Sequence, residues 1–489
     1  MINHLNSRTL RTLAAGLVST QVHAEPQRKK RAYFFAGSSS AIPGASGKSW
    51  SVLTPVELDQ SEYRKVTFGK NFACGLTEKG EVTKWVGNEK KKFPTEDVVD
   101  IDCTRDRVFA LTKRGEVLVE GEDGNLGKLQ FPKRTMWYFW SREARITQIS
   151  VNARHALFKT SEGDVFTAGD NRWGQCGRKL PERKFALDGT EISPDENEYL
   201  DWVDKILGDS EIASDEVCKV SQLEAIPEKA KAVMAGERHS LVLTESGKMF
   251  AFGDDSKLQL NFGDTRASDD EFAPWLSGLV YKGSSGNTPK KFPVSYNFYQ
   301  RHCRWRPTEA LPPAYGNFKF DKECLSVVAG REHSAFVYLD PQPEISSENT
   351  VQFGHVMFAC GQNSQGQCGR NTSTHQQIAL PVRLPRGAKI LSVCAGNDHT
   401  VALVRESHVD KIFAFGGNRQ GQCAVGNLAH AVCPPAVIWN SKIRAPRKFS
   451  IQNTSDERLS LDEMRRHRVL AAHAKYDNTV VIVESDLSS

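Results

Sequence analysis

Apolar and polar residues alternate in short runs along most of this chain, a pattern that predicts β-strands. In "HSLVLTESGKMFAFG", residues 239–253, two such runs flank a turn that contains Gly247. Alternation with a period of two places the apolar side chains of a strand on one face. A Thr-x-x-Gly step between two strands is typical of a β-hairpin. Because a single hairpin cannot bury its faces alone, several hairpins are expected to pack around a shared core.

The same hairpin pattern recurs along the chain. Strong copies occupy residues 151–179, 234–260, 328–339 with 356–370, and 394–423, and weaker copies occupy residues 66–87 and 98–128. The strong copies share one histidine position, which is held by His155, His239, His333 and His399. In the weaker copies, Phe72 and Val108 are assigned to that position. Catalytic histidines cluster in one place, whereas these repeat from unit to unit, so we interpret them as structural residues that tie a hairpin backbone.

One further unit is divided between the two ends of the sequence. Residues 469–485 contain the first half of a unit, and residues 32–37, "AYFFAG", supply a final strand. Six whole units and one divided unit make seven. Pairing of the first strand with the last closes a β-propeller and removes its open sheet edges. The sequence therefore predicts an all-β, seven-bladed β-propeller over residues 32–486, followed by a short tail at 487–489.

These repeats resemble the regulator of chromosome condensation family. Its units read apolar-small-Gly-x-x-His-Ser/Thr-x-x-Leu-Thr, Gly, strand, Gly-x-Asn-x-x-Gly-Gln-Leu/Cys-Gly, and residues 151–179, 234–260, 356–370 and 394–423 carry that pattern most strongly. Weaker copies extend the resemblance to about residues 32–486. The resemblance implies a seven-bladed propeller. "DNRWGQCGRKLPE", together with the N-terminal segment, is similar to the mitochondrial members of the family.

A glycine-rich stretch at residues 37–50, "GSSSAIPGASGKSW", partly matches a phosphate-binding loop. That loop requires a glycine separated by four residues from its Gly-Lys pair, and at that position this chain has Ile42. Alignment with residues 165–178 instead places Gly44 and Gly47 on the glycines of a repeated turn. The equivalent turn glycines are Gly174 and Gly177 in one unit and Gly366 and Gly369 in another. We therefore interpret the stretch as the turn that follows a blade strand.

The N-terminal residues have the composition of a mitochondrial transit peptide. The first 24 residues contain Arg8 and Arg11 and precede the first acidic residue, Glu25. A secretory signal is the alternative, although its apolar stretch is normally longer. We assign residues 1–31 to a transit peptide and basic linker, which predicts a location in the mitochondrial matrix or at the inner-membrane periphery. No uninterrupted run of about 18 apolar residues predicts a transmembrane span.

Charge and cysteine content narrow the function less than the repeats do. The net charge is +5 in 489 residues, too small an imbalance to indicate a nucleic-acid-binding protein by itself. The 11 cysteines include no C-x-x-C pair, which favours free, buried thiols in a reducing compartment. No nucleophile elbow, HExxH motif or dinucleotide fingerprint occurs. We expect a non-enzymatic protein without cofactor or metal.

Three insertions, at about residues 181–228, 265–323 and 428–468, are the expected location of function, because binding residues are usually mounted on loops. The first is strongly acidic: residues 185–216 hold eleven acids against one lysine. Apolar residues within this segment recur at helical spacing. They predict either a solvated helix whose apolar side packs on the propeller or a docking helix for a basic partner. The docking residues are Asp201, Trp202 and Asp204. The third insertion is basic and is interpreted as a polar linker.

The second insertion mixes basic and aromatic residues and contains no acid between residues 272 and 308. Such interleaving suits RNA phosphates and stacked bases. The alternative is a loop whose aromatic residues fill a gap between blades. The candidate RNA- or partner-binding residues are Lys290, Lys291, Tyr296, Tyr299, Arg301, Arg304, Trp305 and Arg306.

The function expected from these features is that of a non-enzymatic, monomeric propeller scaffold in the assembly of a large mitochondrial complex. The resemblance to mitochondrial family members implies that this complex is the mitochondrial ribosome with its RNA, or a respiratory complex such as complex III. Guanine-nucleotide exchange on a mitochondrial GTPase, the activity of the founding nuclear member, is the alternative. The expected partners are protein subunits or a GTPase, with RNA as a further partner.

Overall fold

A computed structural model gives the fold of the chain. The structure describes residues 30–45, 49–59, 61–95, 97–121, 124–132, 134–136, 140–142, 144–178, 220–224, 226–262, 303–311, 313–315, 318–319, 323–341, 344–345, 351–352, 354–371, 375–406, 409–440 and 467–485.

These residues are almost entirely β-strand, with one 3-10 turn at Ser39–Ala41. The strands of the first third are β1 Lys30–Gly37, β2 Trp50–Val56, β3 Tyr63–Phe68, β4 Ala73–Thr77, β5 Val82–Val86, β6 Glu89–Lys92, β7 Val98–Cys103, β8 Val108–Thr112, β9 Val117–Glu120, β10 Leu126–Lys128, β11 Arg134–Met136 and β12 Trp140–Arg142. They continue with β13 Ile146–Val151, β14 His155–Thr160, β15 Val165–Gly169, β16 Ser221–Gln222, β17 Ala230–Ala235, β18 His239–Thr244, β19 Met249–Asp254, β20 Cys303–Glu309, β21 Ala314–Tyr315 and β22 Phe318–Lys319. The last strands are β23 Cys324–Ala329, β24 His333–Leu339, β25 Glu344–Ile345, β26 Val351–Gln352, β27 His355–Gly361, β28 Gln376–Pro381, β29 Lys389–Ala395, β30 His399–Glu406, β31 Val409–Gly417, β32 Ala431–Asn440, β33 His467–Lys475 and β34 Asn478–Ser485.

Seven sheets of four antiparallel strands form the blades of a β-propeller. From first to fourth strand, they are blade 1 (β3–β6), blade 2 (β7–β10), blade 3 (β13–β16), blade 4 (β17–β20), blade 5 (β23, β24, β27, β28), blade 6 (β29–β32) and blade 7 (β33, β34, β1, β2). The pairs β11/β12, β21/β22 and β25/β26 form short ribbons. In blade 7, β1 pairs with β34 from Lys30 opposite Ser485 to Gly37 opposite Asn478. The predicted seven-bladed propeller and its closure by the first and last strands are both confirmed.

The hairpin between the second and third strands forms as the sequence predicts. In blade 3, the Thr160 hydroxyl accepts the backbone N–H of Asp164 at 3.0 Å. Gly163 between them has φ +86°, a left-handed conformation that costs a glycine little. A methyl group there would lie 2.6 Å from Lys229 Cβ, at the start of the next blade. The Thr-x-x-Gly step therefore sets both the turn and the close approach of neighbouring blades.

The hydrophobic core is divided into seven layers, one between each pair of neighbouring blades in the described part of the chain. Between blades 2 and 3, for example, Phe109 packs with Phe158 and Phe166. Each blade presents alternate residues of its strands to the two neighbours, so both of its faces are buried. This explains why the strands are apolar at most positions, and why one hairpin alone is insufficient.

The first strands of adjacent blades contact one another around the whole ring and line a central cavity of about 260 Å³. Polar side chains tie several of these strands together. Asp102 of β7 accepts the Val151 N–H of β13 at 2.7 Å. Lys475 of β33 forms an ion pair with Asp102 and donates to the Val151 carbonyl oxygen. Blades 7, 2 and 3 are thereby linked across the cavity.

Two faces of the ring are distinguished by the strand register. Within blade 3, His155 at the start of β14 lies opposite Gly169 at the end of β15. The loop between first and second strands and the loop between third and fourth strands therefore emerge on the same side, which we call the loop face. The Thr-x-x-Gly turns emerge on the opposite side.

The fourth strands were not predicted, and they occupy parts of the expected insertions. β16, β20 and β32 lie within the segments 181–228, 265–323 and 428–468. The assignment of Val108 to the histidine position was also wrong by one residue. Val108 pairs with Cys103 as Ser240 pairs with Ala235, so Val108 holds the hydroxyl position and Arg107 holds the histidine position.

Candidate functional site

The four repeated histidines connect neighbouring blades. Their Nε2 atoms meet hydroxyl groups of the next blade at 2.7 to 3.0 Å, in the pairs His155–Ser240, His239–Ser334, His333–Thr400 and His399–Thr479. The Ser240 hydroxyl donates to the Gln175 carbonyl oxygen at 2.7 Å. The histidine Nε2–H must therefore be the donor to that hydroxyl. The sequence predicts that these histidines tie the backbone of their own hairpin. The structure instead shows a bond that joins two blades.

Burial keeps these histidines neutral. The pKa of His155 falls from its usual value to about 4, mainly because the ring is buried, with the carboxylate of Asp170 acting in the opposite direction. The pKa of His239 falls to about 3 for the same main reason. Neither ring is poised to exchange protons near pH 7.

Charged side chains on the loops between first and second strands form a collar around the cavity mouth on the loop face. Glu237 of blade 4 lies 3.6 Å from both Arg105 and Arg154 and 3.9 Å from Arg331. Arg331 also pairs with Asp398 of blade 6 at 2.9 Å. Burial raises the pKa of Asp398 to about 6, and the Arg331 guanidinium opposes that rise. These ion pairs of the collar link five blades, blades 2 to 6.

A second group of side chains lies further out on the loop face, where blades 3 and 4 meet. The guanidinium of Arg238 stacks over the Trp173 ring at 4.7 Å from its centroid. That of Arg306 stacks over Trp305 at the same distance, 4.7 Å. Arg304, which precedes Trp305 in β20, lies 5.2 Å from the Phe262 ring centroid. We call Trp173, Arg238, Arg304, Trp305 and Arg306 the Arg–Trp patch.

The repeated turn glycine brings the two tryptophans together. Gly174 follows Trp173, has φ +80°, and packs directly against β20 of the next blade. A methyl group on Gly174 would lie 2.7 Å from the Trp305 Cα. The backbone N–H of Trp173 donates a hydrogen bond to the side-chain oxygen of Gln175 at 2.8 Å. The turn of blade 3 is thus locked onto the fourth strand of blade 4.

The patch can bind planar, anionic ligands. Stacking on an indole ring orients the guanidinium plane of an arginine parallel to the ring. The N–H groups at its edge can then donate to phosphate, and its outer face offers a surface on which a base can stack. Arg306 is exposed, and Trp173, Arg238 and Trp305 are half-buried. The side chains are therefore held by packing while part of each remains open to a ligand.

The sequence-predicted site residues are only partly covered by the structure. Arg304, Trp305 and Arg306 lie together in β20 and not in a loop. The other candidate binding residues, Lys290, Lys291, Tyr296, Tyr299 and Arg301, lie outside the described residues, as do Asp201, Trp202 and Asp204. The glycines Gly174, Gly177, Gly366 and Gly369 all have positive φ, between 67° and 80°.

Sequence reasoning missed Trp173 and Arg238. Trp173 lies in the repeat segment 151–179, but no local sequence pattern relates it to Trp305. The two residues come together only because the turn between β15 and β16 packs against β20 of the next blade.

The described residues also bear on metal binding and on membrane insertion. There, no three His, Cys, Asp or Glu side chains are grouped so that they could hold a metal ion. The same residues include no helix with the length and apolar character needed to cross a membrane.

The fold and its inter-blade bonds define a propeller built from a histidine-containing repeat. Models of the regulator of chromosome condensation (RCC1) repeat match residues 355–403, and, in a second form, residues 146–175 and 230–259. These segments fall on blades 3 to 6 and include His155, His239 and His399. The chain therefore contains RCC1 repeats in blades 3 to 6.

Similar proteins are distant in sequence. The human probable E3 ubiquitin-protein ligase HERC4 is 24% identical over 313 residues, and the match covers 60% of this chain and 24% of HERC4. The chain thus matches about a quarter of that relative's length. Protein FMP25, mitochondrial, from Saccharomyces cerevisiae (strain ATCC 204508 / S288c) is 21% identical over 414 residues, covering 78% of this chain and 62% of FMP25. The Secretion-regulating guanine nucleotide exchange factor of Bos taurus is 25% identical over 365 residues, and the match covers 68% of this chain and 72% of that protein.

Two solved structures share the fold. Yeast RCC1 (Prp20), crystallised with Kap60, gives a TM-score of 0.59 at 16% identity and covers 94% of this chain and 90% of that one. Human WBSCR16 gives 0.55 at 14% identity and covers 94% of this chain and all of that one, 100%. At these identities the likeness concerns the fold alone.

Proposed function

We propose that this chain is a non-enzymatic mitochondrial propeller scaffold that acts in assembly of a large complex by binding RNA of the mitochondrial ribosome. The Arg–Trp patch is the observation that carries this proposal. Both of its stacked Arg–Trp pairs lie at the junction of blades 3 and 4, where the turn at Gly174 contacts Trp305. Stacked aromatic and guanidinium planes suit unpaired bases, and each stacked base is worth about 1–3 kcal/mol.

The mitochondrial part of the proposal has separate support. Residues 1–24 have the composition of a transit peptide. The relative FMP25 is described as mitochondrial. Assembly of a respiratory complex such as complex III is the other mitochondrial role that the proposal includes, with protein subunits in place of RNA. Imaging of C-terminally tagged protein with and without residues 1–24 tests the location: mitochondrial signal should require those residues.

RNA binding is tested with purified full chain and a fluorescein-labelled single-stranded RNA, by fluorescence anisotropy. The variant R238A/R306A removes both stacked guanidinium groups. We expect its affinity to fall by about tenfold or more, and the dependence on salt concentration to become shallower by about one to two counterions. The control K113A/R114A removes two exposed charges from a turn on the opposite side. Equal loss in both variants, or none in either, would contradict the proposed site.

The cellular role is tested by sedimentation of the tagged protein with mitochondrial ribosomal subunits, before and after RNase. Co-sedimentation that is sensitive to RNase and to R238A/R306A supports the ribosomal version. Migration at the top of the gradient, with unchanged ribosomal RNA levels on depletion, would favour the respiratory-complex version.

Guanine-nucleotide exchange on a mitochondrial GTPase is the second candidate function. The similarity that favours it is the bovine exchange factor, which matches 68% of this chain. A propeller accelerates exchange by disturbing the nucleotide site of its partner, without chemistry of its own. The test is release of labelled GDP from purified mitochondrial GTPases. Acceleration by catalytic amounts of this chain supports exchange, and unchanged release with each GTPase contradicts it.

A further inference from the structure

A second surface, separate from the Arg–Trp patch, lies where the outer strands of blades 5 and 6 meet. It is a groove of about 410 Å³, within the size range of ligand pockets, roughly 300–1,000 Å³. Its charged and apolar lining includes Arg370, Arg383, Arg386, Asp340, Leu384 and Pro434. We call it the blade 5–6 groove.

The groove carries an excess of positive charge. Three guanidinium groups, of Arg370, Arg383 and Arg386, line it against one carboxylate, that of Asp340. Arg383 and Arg386 are exposed, and Arg370 is half-buried. Arg370 donates to the Pro381 carbonyl oxygen at 3.4 Å, which holds its side chain along the groove. In the part of the chain that the structure describes, none of the three arginines forms an ion pair.

The floor of the groove is apolar. Met357 and Val382 are buried beneath it, at 1% and 6% exposure. Leu384 is half-buried, and Pro434 of β32 forms the wall from blade 6. Proline residues on either side hold the walls with little conformational freedom. A ligand that fits must therefore bury apolar atoms as well as supply negative charge.

We propose that the blade 5–6 groove binds a short acidic segment of a protein partner, in which carboxylates alternate with apolar side chains. Arginine recognises carboxylates through paired N–H donors, and three arginines at separated positions suit a chain of carboxylates. The apolar side chains would cover Leu384 and the prolines. A free inorganic anion would use the charges and leave the apolar floor exposed, so the peptide is the better match.

The experiment uses the full chain and a short fluorescein-labelled peptide of alternating glutamate and leucine, with binding measured by fluorescence anisotropy. We expect binding by the unmodified chain and a roughly tenfold or greater loss with R383E/R386E, because two of the three positive charges that line the groove are reversed. The matched control K113E/R114E makes the same charge change on blade 2 and should bind within about twofold of the unmodified chain. R383Q/R386Q, which keeps these exposed positions polar, should show a smaller loss in the same direction.

Three results would overturn the proposal. One is an equal affinity for a peptide of alternating glutamine and leucine. Another is an equal loss of binding in K113E/R114E, which would show an effect of net charge alone. The third is displacement of the peptide by inorganic phosphate or by single-stranded RNA at matched concentration, which would indicate an anion or nucleic-acid site. R238A/R306A should retain peptide binding, so this test and the RNA test fail independently.

Discussion

At the scale of single residues, one repeat departs from the others in a buried position. Asn171, Asn363 and Asn418 each accept the backbone N–H five residues further on and donate from Nδ2 to a carbonyl oxygen. Blade 4 has Asp255 at that position. Its Oδ1 accepts the Leu260 N–H at 3.0 Å, but a carboxylate cannot donate as the amides do. Burial raises the pKa of Asp255 to about 7, and the nearby Arg304 guanidinium opposes the rise.

We predict that Asp255→Asn stabilises the protein at neutral and higher pH. The unfolded carboxyl ionises near pH 3.9, while the folded one holds its proton until about pH 7. The folded state therefore binds more protons between these values, and its stability falls as pH rises through that range. The amide removes this loss, so we expect a gain of about 1–3 kcal/mol at pH 8 that shrinks towards pH 5. Urea unfolding at both pH values measures it.

The reverse change is the control. Asn171→Asp places a carboxylate at the equivalent position of blade 3 and should destabilise the protein most at pH 8. If Asp255→Asn were no more stable than the unmodified chain at pH 8, the assignment of a buried, costly carboxyl would be wrong.

At the scale of elements, the blade interfaces fall into two kinds. From blade 3 round to blade 7, a histidine of one second strand bonds to a hydroxyl of the next. At the other interfaces the equivalent pairs are Asn478 with Ala73, Phe72 with Val108, and Arg107 with Ala156. Those pairs lack the hydroxyl acceptor, so these interfaces depend on apolar packing such as that of Phe72.

We predict that Ser240→Ala destabilises the protein by about 1–3 kcal/mol, because it leaves both the His155 Nε2–H and the Gln175 carbonyl without the buried hydroxyl. Urea unfolding measures the change. Ser246→Ala is the control: its hydroxyl lies on an exposed turn beside Glu228, and the change should stay within about 0.5 kcal/mol. Equal effects of the two substitutions would show that the inter-blade bond contributes nothing.

At the scale of the whole molecule, the sequence was sufficient to predict the repeat and the ring but not the Arg–Trp patch. The divided repeat predicted the pairing of β1 with β34, because the two ends supply complementary halves of one blade. The fourth strands escaped prediction since they are short or irregular: β16 has two residues, and β32 contains Pro434 and Pro435. The Arg–Trp patch depends on the contact of Gly174 with Trp305, which joins segments far apart in the chain and has no local signal.

Closure of the ring gives the last prediction: a chain that ends at Lys475, without β34, should not fold to a stable propeller. β34 lies between β1 and β33, and Val480, Val481, Ile482 and Val483 are each 0% exposed. Four such side chains contribute about 6–12 kcal/mol in burial, at about 1.5–3 kcal/mol each. That loss equals most of the total stability of a typical domain, about 5–15 kcal/mol.

Thermal unfolding should show no cooperative transition at the temperature of the full chain, and gel filtration should show association through the exposed edge of β1. A chain that ends at Ser485 keeps β34 and should behave as the full chain does. A single transition at the full-length temperature in the shorter chain would show that β34 does not hold the ring together.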